Sequence, residues 1–270
     1  MENIESYEVQ KSPENKPAKA LNTIDGIKSF VNLSGKPLFL KRLSHLSDEK
    51  AEELFTNELS YLIERLNANS YTASGFLEAA AKNPDSLKFA IANVAASGLT
   101  LRQNAKECNL IPRNGAILFE PEYRGLLKYI FSDSRVMKVV TELVYSSDKF
   151  TYSVQDGDDH YSHDFNPMLS LKDRGDLLGG YCAVVFSDGN IIIEIANVEK
   201  LLTIRKKASD KSQAWKDYED DMYKKTLIKR WYSAKSKMLN IPENVRKNIE
   251  PHMEYIDITE QQQPAKNYAE

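Results

Sequence analysis

The sequence predicts an α+β protein with helices at its N-terminal end, strands in its middle and a helix near its C-terminal end. An apolar stripe at helical spacing runs from Leu54 to Leu66. Two turn signals, Asn114-Gly115 and Asp188-Gly189, separate apolar runs in the way that is typical of β-hairpins. We therefore predict a single domain with N-terminal helices, a central antiparallel sheet with β-hairpins, and a long basic C-terminal helix at Gln213–Met238.

The composition is that of an ordinary soluble globular protein. Hydrophobic residues make up 41% and charged residues 28% of the 270 residues, enough for a sizeable core. No apolar run approaches the roughly 20 residues that span a bilayer, and the N-terminus lacks an apolar signal-peptide core. Cys108 and Cys182 have no metal-ligand spacing and are predicted to be buried free thiols in a reducing compartment. We expect a cytoplasmic protein with no membrane contact.

Residues 1–46 predict a flexible segment with one short helix. Residues 1–20 are polar and almost without apolar anchors, so we interpret them as disordered. A short amphipathic piece follows, and Lys36-Pro37 interrupts it. Ser47 has the position of an N-cap for the helix with the apolar stripe. Two shorter helices are predicted after it, at 74–82 and 84–96.

The middle of the chain predicts β-structure. The run from Cys108 to Phe119 predicts a hairpin, and the runs on either side of Asp188-Gly189 predict a second one. The remaining predicted elements are helices at 123–131 and 197–207 and strands at 135–145 and 149–154. The segment that begins at Asp156 has a loop signature.

The segment Gln213–Met238 predicts a helix whose cations lie in its second half. Twelve Lys or Arg stand against five Asp or Glu between Lys200 and Lys237, although the whole chain has a net charge of −3. Lys225 and Lys229 form a like-charged i,i+4 pair, which costs roughly 0.2–0.5 kcal/mol without an anionic partner. Cations clustered beside aromatics indicate a surface for a polyanion, most simply nucleic acid. The alternative is an ordinary amphipathic helix with solvated lysines.

An apolar face of the same helix is predicted to pack on the core. Its members recur at intervals of about three to five residues: Trp215, Tyr218, Met222, Leu227, Trp231, Ala234 and Met238. A second place where an aromatic meets a cation is Tyr123-Arg124, with Arg135 and Lys138 soon after it. The alternative there is a packed Tyr123 and a solvated Arg124.

An acidic and histidine-rich stretch raises an enzymatic alternative. Its residues are Asp156, Asp158, Asp159, His160, His163 and Asp164, which could hold Mg²⁺ or Mn²⁺ for phosphodiester hydrolysis. A solvated acidic loop is the preferred interpretation, and a subunit contact is a third. The sequence contains neither GxxxxGK[ST] nor GxGxxG, and its four histidines lie in polar or terminal segments. No nucleotide-triphosphate cradle and no nucleophilic triad are therefore predicted.

Three blocks of sequence, in order, resemble those of the RecT family of phage single-strand annealing proteins. The first is Gly98-Leu-Thr-Leu, then Leu110-Ile-Pro, then Tyr123-Arg-Gly. The second is Asp173-Arg-Gly followed by Leu178-Gly-Gly-Tyr, with Asp188-Gly after one strand. The third is Trp215-Lys-Asp-Tyr with Met222-Tyr-Lys-Lys-Thr. The likeness covers about residues 48–239, and the order and spacing of the blocks make it specific. Two departures from the family pattern are Glu122, where Gly is usual, and Arg102-Gln103, where Asn-Pro is usual.

This resemblance implies a protein that binds single-stranded DNA and anneals complementary strands without ATP. It implies oligomeric rings or filaments, a positively charged groove that holds the annealed duplex intermediate by its backbone, a partner exonuclease, and a host single-strand-binding protein as a further partner. No catalytic residue, metal or cofactor is expected, and Mg²⁺ is expected at most to modulate annealing. On this basis residues 47–240 form the annealing domain and residues 241–270 a mobile tail.

The resemblance implies phosphate contacts by Lys224, Lys225 and Arg230, aided by Arg124, Lys206, Lys207 and Lys211. Trp215 could stack on a base, but a core position is the preferred interpretation. The full set of candidate DNA-binding residues is Tyr123, Arg124, Lys128, Arg135, Lys138, Arg205, Lys206, Lys207, Lys211, Lys224, Lys225, Lys229 and Arg230. Two other functions are kept open. One is a metal-dependent nuclease using the Asp156–His160 cluster, and the other is a nonenzymatic module that binds an acidic protein.

Overall fold

The computed structural model describes residues 21–207, 213–243, 245 and 246. The segment predicted to be disordered before residue 21, the linker 208–212 and most of the predicted tail lie outside the described residues. Helices and antiparallel strand pairs together confirm the predicted α+β class. The predicted domain boundaries at residues 46 and 240 stay predictions.

The described residues form two compact units, the first from residues 21–92 and 111–118, the second from 93–110 and 119 onward. The first unit is mostly helical. Its elements are α1 Ile24–Phe30, a π-helical turn Val31–Gly35, α2 Lys36–Arg42, α3 Asp48–Ala68, α4 Ser70–Lys82 and the first part of α5 Pro84–Ser97. Ser47 caps α3 as predicted, because its hydroxyl accepts the Lys50 amide at 3.4 Å. Phe39 of α2 packs edge-on against Phe55 of α3, with ring centroids 5.4 Å apart.

The second unit contains the three-stranded antiparallel sheet. Its strands are β3 Val136–Tyr145, β6 Leu177–Phe186 and β7 Ile191–Asn197, in the order β3-β6-β7. The turn at Asp188-Gly189 joins β6 to β7 as predicted. This unit also contains the pair of β4 Lys149–Gln155 with β5 Asp158–Asp164. A further pair, β1 Cys108–Arg113 with β2 Ala116–Pro121, has residues in both units. The β1–β2 turn is the predicted one, with Asn114 and Gly115 at φ 51° and 74°.

The prediction of a loop that begins at Asp156 is correct for two residues only. Only Asp156 and Gly157 form the turn, both with positive φ, and β5 begins at Asp158 and pairs with β4 along its whole length. An Asp-Gly pair suits such a two-residue turn because both positions need a left-handed backbone. The polar composition of β5 hid its strand character.

The second unit contains several helices, and the prediction of one long basic helix over Gln213–Met238 is not confirmed. They are the end of α5, α6 Tyr123–Ile130, α7 Leu171–Arg174, α8 Val198–Lys207, α9 Gln213–Asp217, α10 Glu219–Lys235 and a 3₁₀ turn Ser236–Met238. Tyr218, at φ −137° and ψ 46°, separates α9 from α10. The three acids that follow Tyr218 form the first turn of α10, where carboxylates favour the helix dipole.

Helix α10 packs directly on the sheet because β6 carries Gly180, and the neighbouring Gly179 allows a close contact with β7. A Cβ at Gly180 would lie 2.7 Å from Leu227 Cδ1 of α10, and one at Gly179 would lie 2.4 Å from the Ala196 carbonyl oxygen of β7. Leu227 is buried, and Trp231 is also buried and donates its indole N–H to the Ile192 carbonyl at 2.9 Å. The Leu178-Gly-Gly-Tyr block therefore permits the close contact between helix and sheet.

Both cysteines are buried free thiols, as predicted. Burial raises the pKa of the Cys182 thiol to about 12. Within the described part of the chain, none of the helices combines the length and the apolar character needed to cross a bilayer.

We predict that Gly180→Ala destabilises the protein by about 1–3 kcal/mol, because the new methyl group overlaps Leu227 and forces α10 away from β6. The control is Gly75→Ala in α4, where the nearest atom to an added Cβ is 3.9 Å away. Since glycine weakens a helix interior, this control should be neutral or stabilising by up to about 1 kcal/mol. Urea unfolding followed by circular dichroism measures both, and equal effects of the two substitutions would contradict the packing argument.

Candidate nucleic-acid interface

Three cations of α10 reach carboxylates on three different strands. Lys224 Nζ lies 2.7 Å from Glu142 Oε2 of β3, and Arg230 Nη2 lies 2.9 Å from Glu194 Oε1 of β7. Lys229 Nζ lies 3.2 Å from Glu120 Oε1 of β2. These pairs are partly shielded from solvent, since the side chain of Arg230 is 15% and that of Lys224 36% exposed.

These ion pairs neutralise part of the positive charge that the sequence indicates for the basic segment. The predicted repulsion between Lys225 and Lys229 is offset inside the molecule, because Glu120 neutralises Lys229. An incoming phosphate would have to displace a carboxylate that already holds each of these three cations. The positive charge of α10 is therefore smaller than the sequence indicates.

Three further candidates also bind acids of the second unit. Lys128 donates to Glu107 at 2.9 Å and to the Gly98 carbonyl at 3.0 Å, and Arg205 Nε lies 3.5 Å from Glu219. Arg135 contacts both carboxylate oxygens of the buried Asp133. The guanidinium also donates to the Met238 carbonyl at 3.1 Å, so it joins the start of β3 to the end of the 3₁₀ turn.

Tyr123, Arg124 and Lys225 form a different arrangement, here called the aromatic–cation cluster. Lys225 Nζ lies 5.6 Å from the centroid of the Tyr123 ring, and Arg124 Cζ lies 5.9 Å from it. Arg124 Nε donates to the Tyr123 hydroxyl at 3.1 Å. Among the described residues, neither cation of this cluster pairs with a carboxylate. The cluster therefore keeps two uncompensated charges beside an aromatic ring.

Close packing at Gly125 positions this cluster. A Cβ at Gly125 would lie 2.3 Å from the Glu107 carbonyl oxygen and 2.8 Å from Leu99 Cδ1. The same carbonyl accepts the Glu122 amide at 2.8 Å, directly before α6 begins. The glycine of Tyr123-Arg-Gly therefore lets α6 start against the chain at Glu107. The departure at Glu122 is accommodated, because its carboxylate accepts a hydrogen bond from the Asn109 side-chain amide.

The other candidates divide into exposed and undescribed residues. Lys138 on β3 and Lys206 on α8 are exposed, and among the described residues neither has a carboxylate partner. The side chain of Lys207 and all of Lys211 lie outside the described residues. The structure thus brings together Tyr123, Arg124 and Lys225, whereas Lys138 and Lys206 lie on other elements.

The predicted apolar face of the basic segment is correct in part. Trp215, Leu227 and Trp231 are buried, and Trp215 packs edge-on against Tyr223 with centroids 5.3 Å apart. Tyr218, Ala234 and Met238 are exposed instead. The buried side chains that the prediction missed are Tyr223, Ile228 and Tyr232. The helix is broken at Tyr218, so a stripe drawn through one continuous helix does not describe the whole segment.

The acidic and histidine-rich stretch does not converge on one point. Asp158 and His160 lie on the exposed face of β5, whereas Asp159 and His163 alternate onto the other face. Asp159 accepts hydrogen bonds from the Tyr152 hydroxyl at 2.8 Å and from the Ile193 amide at 3.1 Å. No group of three His, Cys, Asp or Glu residues within the described chain is arranged to hold a metal ion.

A buried polar cluster around Arg174 was not predicted. The guanidinium lies between the rings of Tyr145 and Phe165, at 4.3 and 4.7 Å from their centroids, and donates to Asp148 Oδ2 at 2.5 Å. His163 Nε2 lies 3.2 Å from the same oxygen. The block Asp173-Arg-Gly was the available signal, but the sequence does not show that its arginine is buried against a residue 26 positions away.

The carboxylates of Asp148 and Asp133 both have lowered pKa values. Burial alone would raise the pKa of Asp148, but hydrogen bonds from Arg174, the Tyr145 amide and His163 hold it below the ordinary value. The Arg135 side chain, assisted by the amides of Asn240 and Arg135, holds the pKa of Asp133 well below its usual range. The carboxylates of Asp148 and Asp133 thus serve to hold the fold of this unit together.

A model of the RecT family matches residues 58–243 of the chain, which is more than half of its 270 residues. A search among curated proteins gave no match.

We predict that Asp133 stabilises the fold above its unfolded-state pKa and loses this contribution as the pH falls. Because its folded-state pKa is lower than the ordinary 3.8, the contribution is complete at neutral pH and declines as the pH drops below about 4. Asp133→Asn should therefore lower the free energy of unfolding at pH 7, and the difference from the unsubstituted protein should shrink toward pH 2. Urea unfolding at pH 7, 4 and 2.5 measures it, with the exposed Asp158→Asn as control. A difference that is constant with pH would contradict this assignment.

Proposed function

Because the chain belongs to the RecT family, whose members bind single-stranded DNA, oligomerise and act in single-strand annealing recombination of the phage type, we propose that this protein anneals complementary DNA strands without ATP. The active form is proposed to be a ring or filament of identical subunits. In that assembly, each subunit holds the DNA backbone in a positively charged groove and leaves the bases free to pair.

The aromatic–cation cluster is the observation that supports this proposal most directly. Proteins that bind single strands without sequence preference combine aromatic platforms for bases with cations that follow the backbone. Tyr123 supplies the ring, and Arg124 and Lys225 supply charges that no carboxylate of the described chain neutralises. Phosphate contacts carry no sequence information, so binding through these residues suits a protein that must anneal any sequence.

The remaining candidate residues fall into two proposed classes. Lys138, Lys206, Lys207 and Lys211 are proposed as further backbone contacts. Lys128, Arg135, Arg205, Lys224, Lys229 and Arg230 are proposed to act mainly in holding the fold, since each is paired with an acid. A phosphate contact by Lys224 or Arg230 would require exchange of one anion for another and would therefore add little affinity.

Partners and cofactors follow the same proposal. A partner exonuclease would expose the strand, and the host single-strand-binding protein would cover it before annealing. The residues after Glu250 are proposed as their docking tail. No nucleotide is required in this scheme, and Mg²⁺ would act only by screening the phosphates of the two strands.

We predict that Lys225→Ala weakens binding to single-stranded DNA and flattens its salt dependence. Each phosphate contact contributes about 0.7 to the slope of the logarithm of the binding constant against the logarithm of salt concentration, so the slope should fall by about this amount. Fluorescence anisotropy with a labelled oligonucleotide at several salt concentrations measures it.

The matched control removes an ion pair and leaves the net charge unchanged. In the double variant Glu142→Gln, Lys224→Gln, the slope should stay that of the unsubstituted protein, because Lys224 is already neutralised at 2.7 Å by Glu142. If the double variant loses as much slope as Lys225→Ala, then Lys224 is itself a phosphate ligand and the two classes above are wrong.

We predict that two complementary oligonucleotides added in succession are annealed by the protein with no nucleotide present, and that rings or filaments are seen by electron microscopy after the second addition. The rate should not change when ATP is supplied, because the proposed mechanism uses only binding energy.

The same labelled oligonucleotides test the alternatives. Incubation with Mg²⁺ or Mn²⁺ at high protein concentration should leave their length unchanged on a denaturing gel, and cleavage would favour the nuclease. Failure to bind single strands at low salt would overturn the proposal and favour the module that binds an acidic protein.

A further inference from the structure

Three residues other than glycine have a left-handed backbone in the described part of the chain. They are Lys106, Asn114 and Asp156, at φ 52°, 51° and 54°. Asn114 and Asp156 are each followed by glycine in a two-residue hairpin turn, and Asn and Asp tolerate this conformation better than other residues with a Cβ. The two-residue turns therefore explain the left-handed backbone of Asn114 and Asp156.

Lys106 is not accounted for in this way. It precedes Glu107 rather than a glycine, and its long side chain is exposed. For the fold alone, glycine would be the better residue here, because it adopts positive φ without steric cost. Because strained backbone conformations cluster at functional sites, the strain at this exposed, charged residue indicates a function for its side chain.

The contacts of Glu107 place Lys106 next to the aromatic–cation cluster. The Glu107 carbonyl accepts the Glu122 amide at 2.8 Å at the open end of the β1–β2 hairpin. Lys106 directly precedes Glu107 and Tyr123 directly follows Glu122, so this hydrogen bond brings the two residues close together. The Glu107 carboxylate accepts the Thr100 amide at 3.2 Å and the Lys128 ammonium at 2.9 Å. Glu107 thereby neutralises Lys128.

Lys106 itself is uncompensated. Among the described residues it has no ion pair or hydrogen bond through its ammonium group. Arg102, in the same loop, is also exposed, and its amide donates to the Thr100 hydroxyl at 3.2 Å. The loop between α5 and β1 thus presents two exposed cations, Arg102 and Lys106.

We propose that Lys106 is a phosphate-binding residue that extends the aromatic–cation cluster across the end of the β1–β2 hairpin. Its ligand is the backbone of a single DNA strand, whose neighbouring phosphates contact Arg124 and Lys225. Arg102 is the next cation along the same loop. This inference rests on the proposed function, because it names a further contact of the same DNA-binding surface.

The test is Lys106→Gly, which removes the charge and the backbone strain together. We expect binding to an oligothymidine to weaken several-fold at low salt, with the salt slope lower by about 0.7. The midpoint of urea unfolding should stay the same or rise, because glycine suits the left-handed backbone. Lys106→Arg keeps the charge and should retain most of the affinity and the full slope.

A second control separates a direct contact from a change in net charge. Lys172→Ala removes an equally exposed cation from α7 and should leave the slope unchanged. If Lys106→Gly binds like the unsubstituted protein, or if Lys172→Ala weakens binding equally, this inference is overturned while the proposed function stands. If the unsubstituted protein binds no single strand, the proposed function itself fails.

Discussion

The contact between α10 and β6 is the constraint on which most of the second unit depends. Gly179 allows the close approach of Ala196 in β7, whereas its neighbour Gly180 leaves no side chain between the helix and the sheet, and Leu227 fills the space above it. At this short separation, lysine and arginine side chains on the helix can reach carboxylates on the flanking strands. Two further buried side chains of α10 contact neighbouring elements: Trp231 donates to the Ile192 carbonyl of β7, and Tyr232 packs against Tyr129 of α6.

The distribution of charge follows from this packing. Residues of α10 that face the strands are neutralised by them, whereas Lys225 projects toward α6 and meets Tyr123. Although α10 is basic in composition, much of its positive charge is therefore neutralised, and the charge of Lys225 is placed next to Tyr123. Gly125 has the corresponding effect on the other side, because it lets α6 begin close enough for Tyr123 and Lys225 to meet.

Local features of the fold could be predicted from the sequence, and contacts between distant segments could not. The Asn114-Gly115 and Asp188-Gly189 turns and the Ser47 cap depend on neighbouring residues, and all three are present. The pairing of Lys224 with Glu142 joins residues 82 positions apart, and periodicity in one segment carries no information about it. For the same reason Tyr123 and Arg124 could be selected as candidates, but their meeting with Lys225 could not.

The structure differs from the prediction at two further places, strand β5 and the helix break at Tyr218, and both differences have local causes. Strand β5 consists almost entirely of polar residues, because its outward face is exposed and its inward face contributes Asp159 and His163 to hydrogen bonds. The break at Tyr218 lies inside a segment with good helical periodicity, and the three acids after it begin a new helix. In β5 few apolar residues mark the strand, whereas at Tyr218 the apolar periodicity continues through the break.

The three ion pairs of α10 also depend on where the helix lies relative to the strands. Partly exposed pairs of this kind add little free energy, typically about 0–1 kcal/mol each. A helix that slipped by one residue would rotate each cation by about 100° away from its carboxylate, since one turn contains 3.6 residues. Glu120, Glu142 and Glu194 belong to three separate strands, so no single slipped register satisfies all of them. The ion pairs therefore favour the same register as the buried contact of Leu227 with Gly180, and in that register Lys225 faces Tyr123.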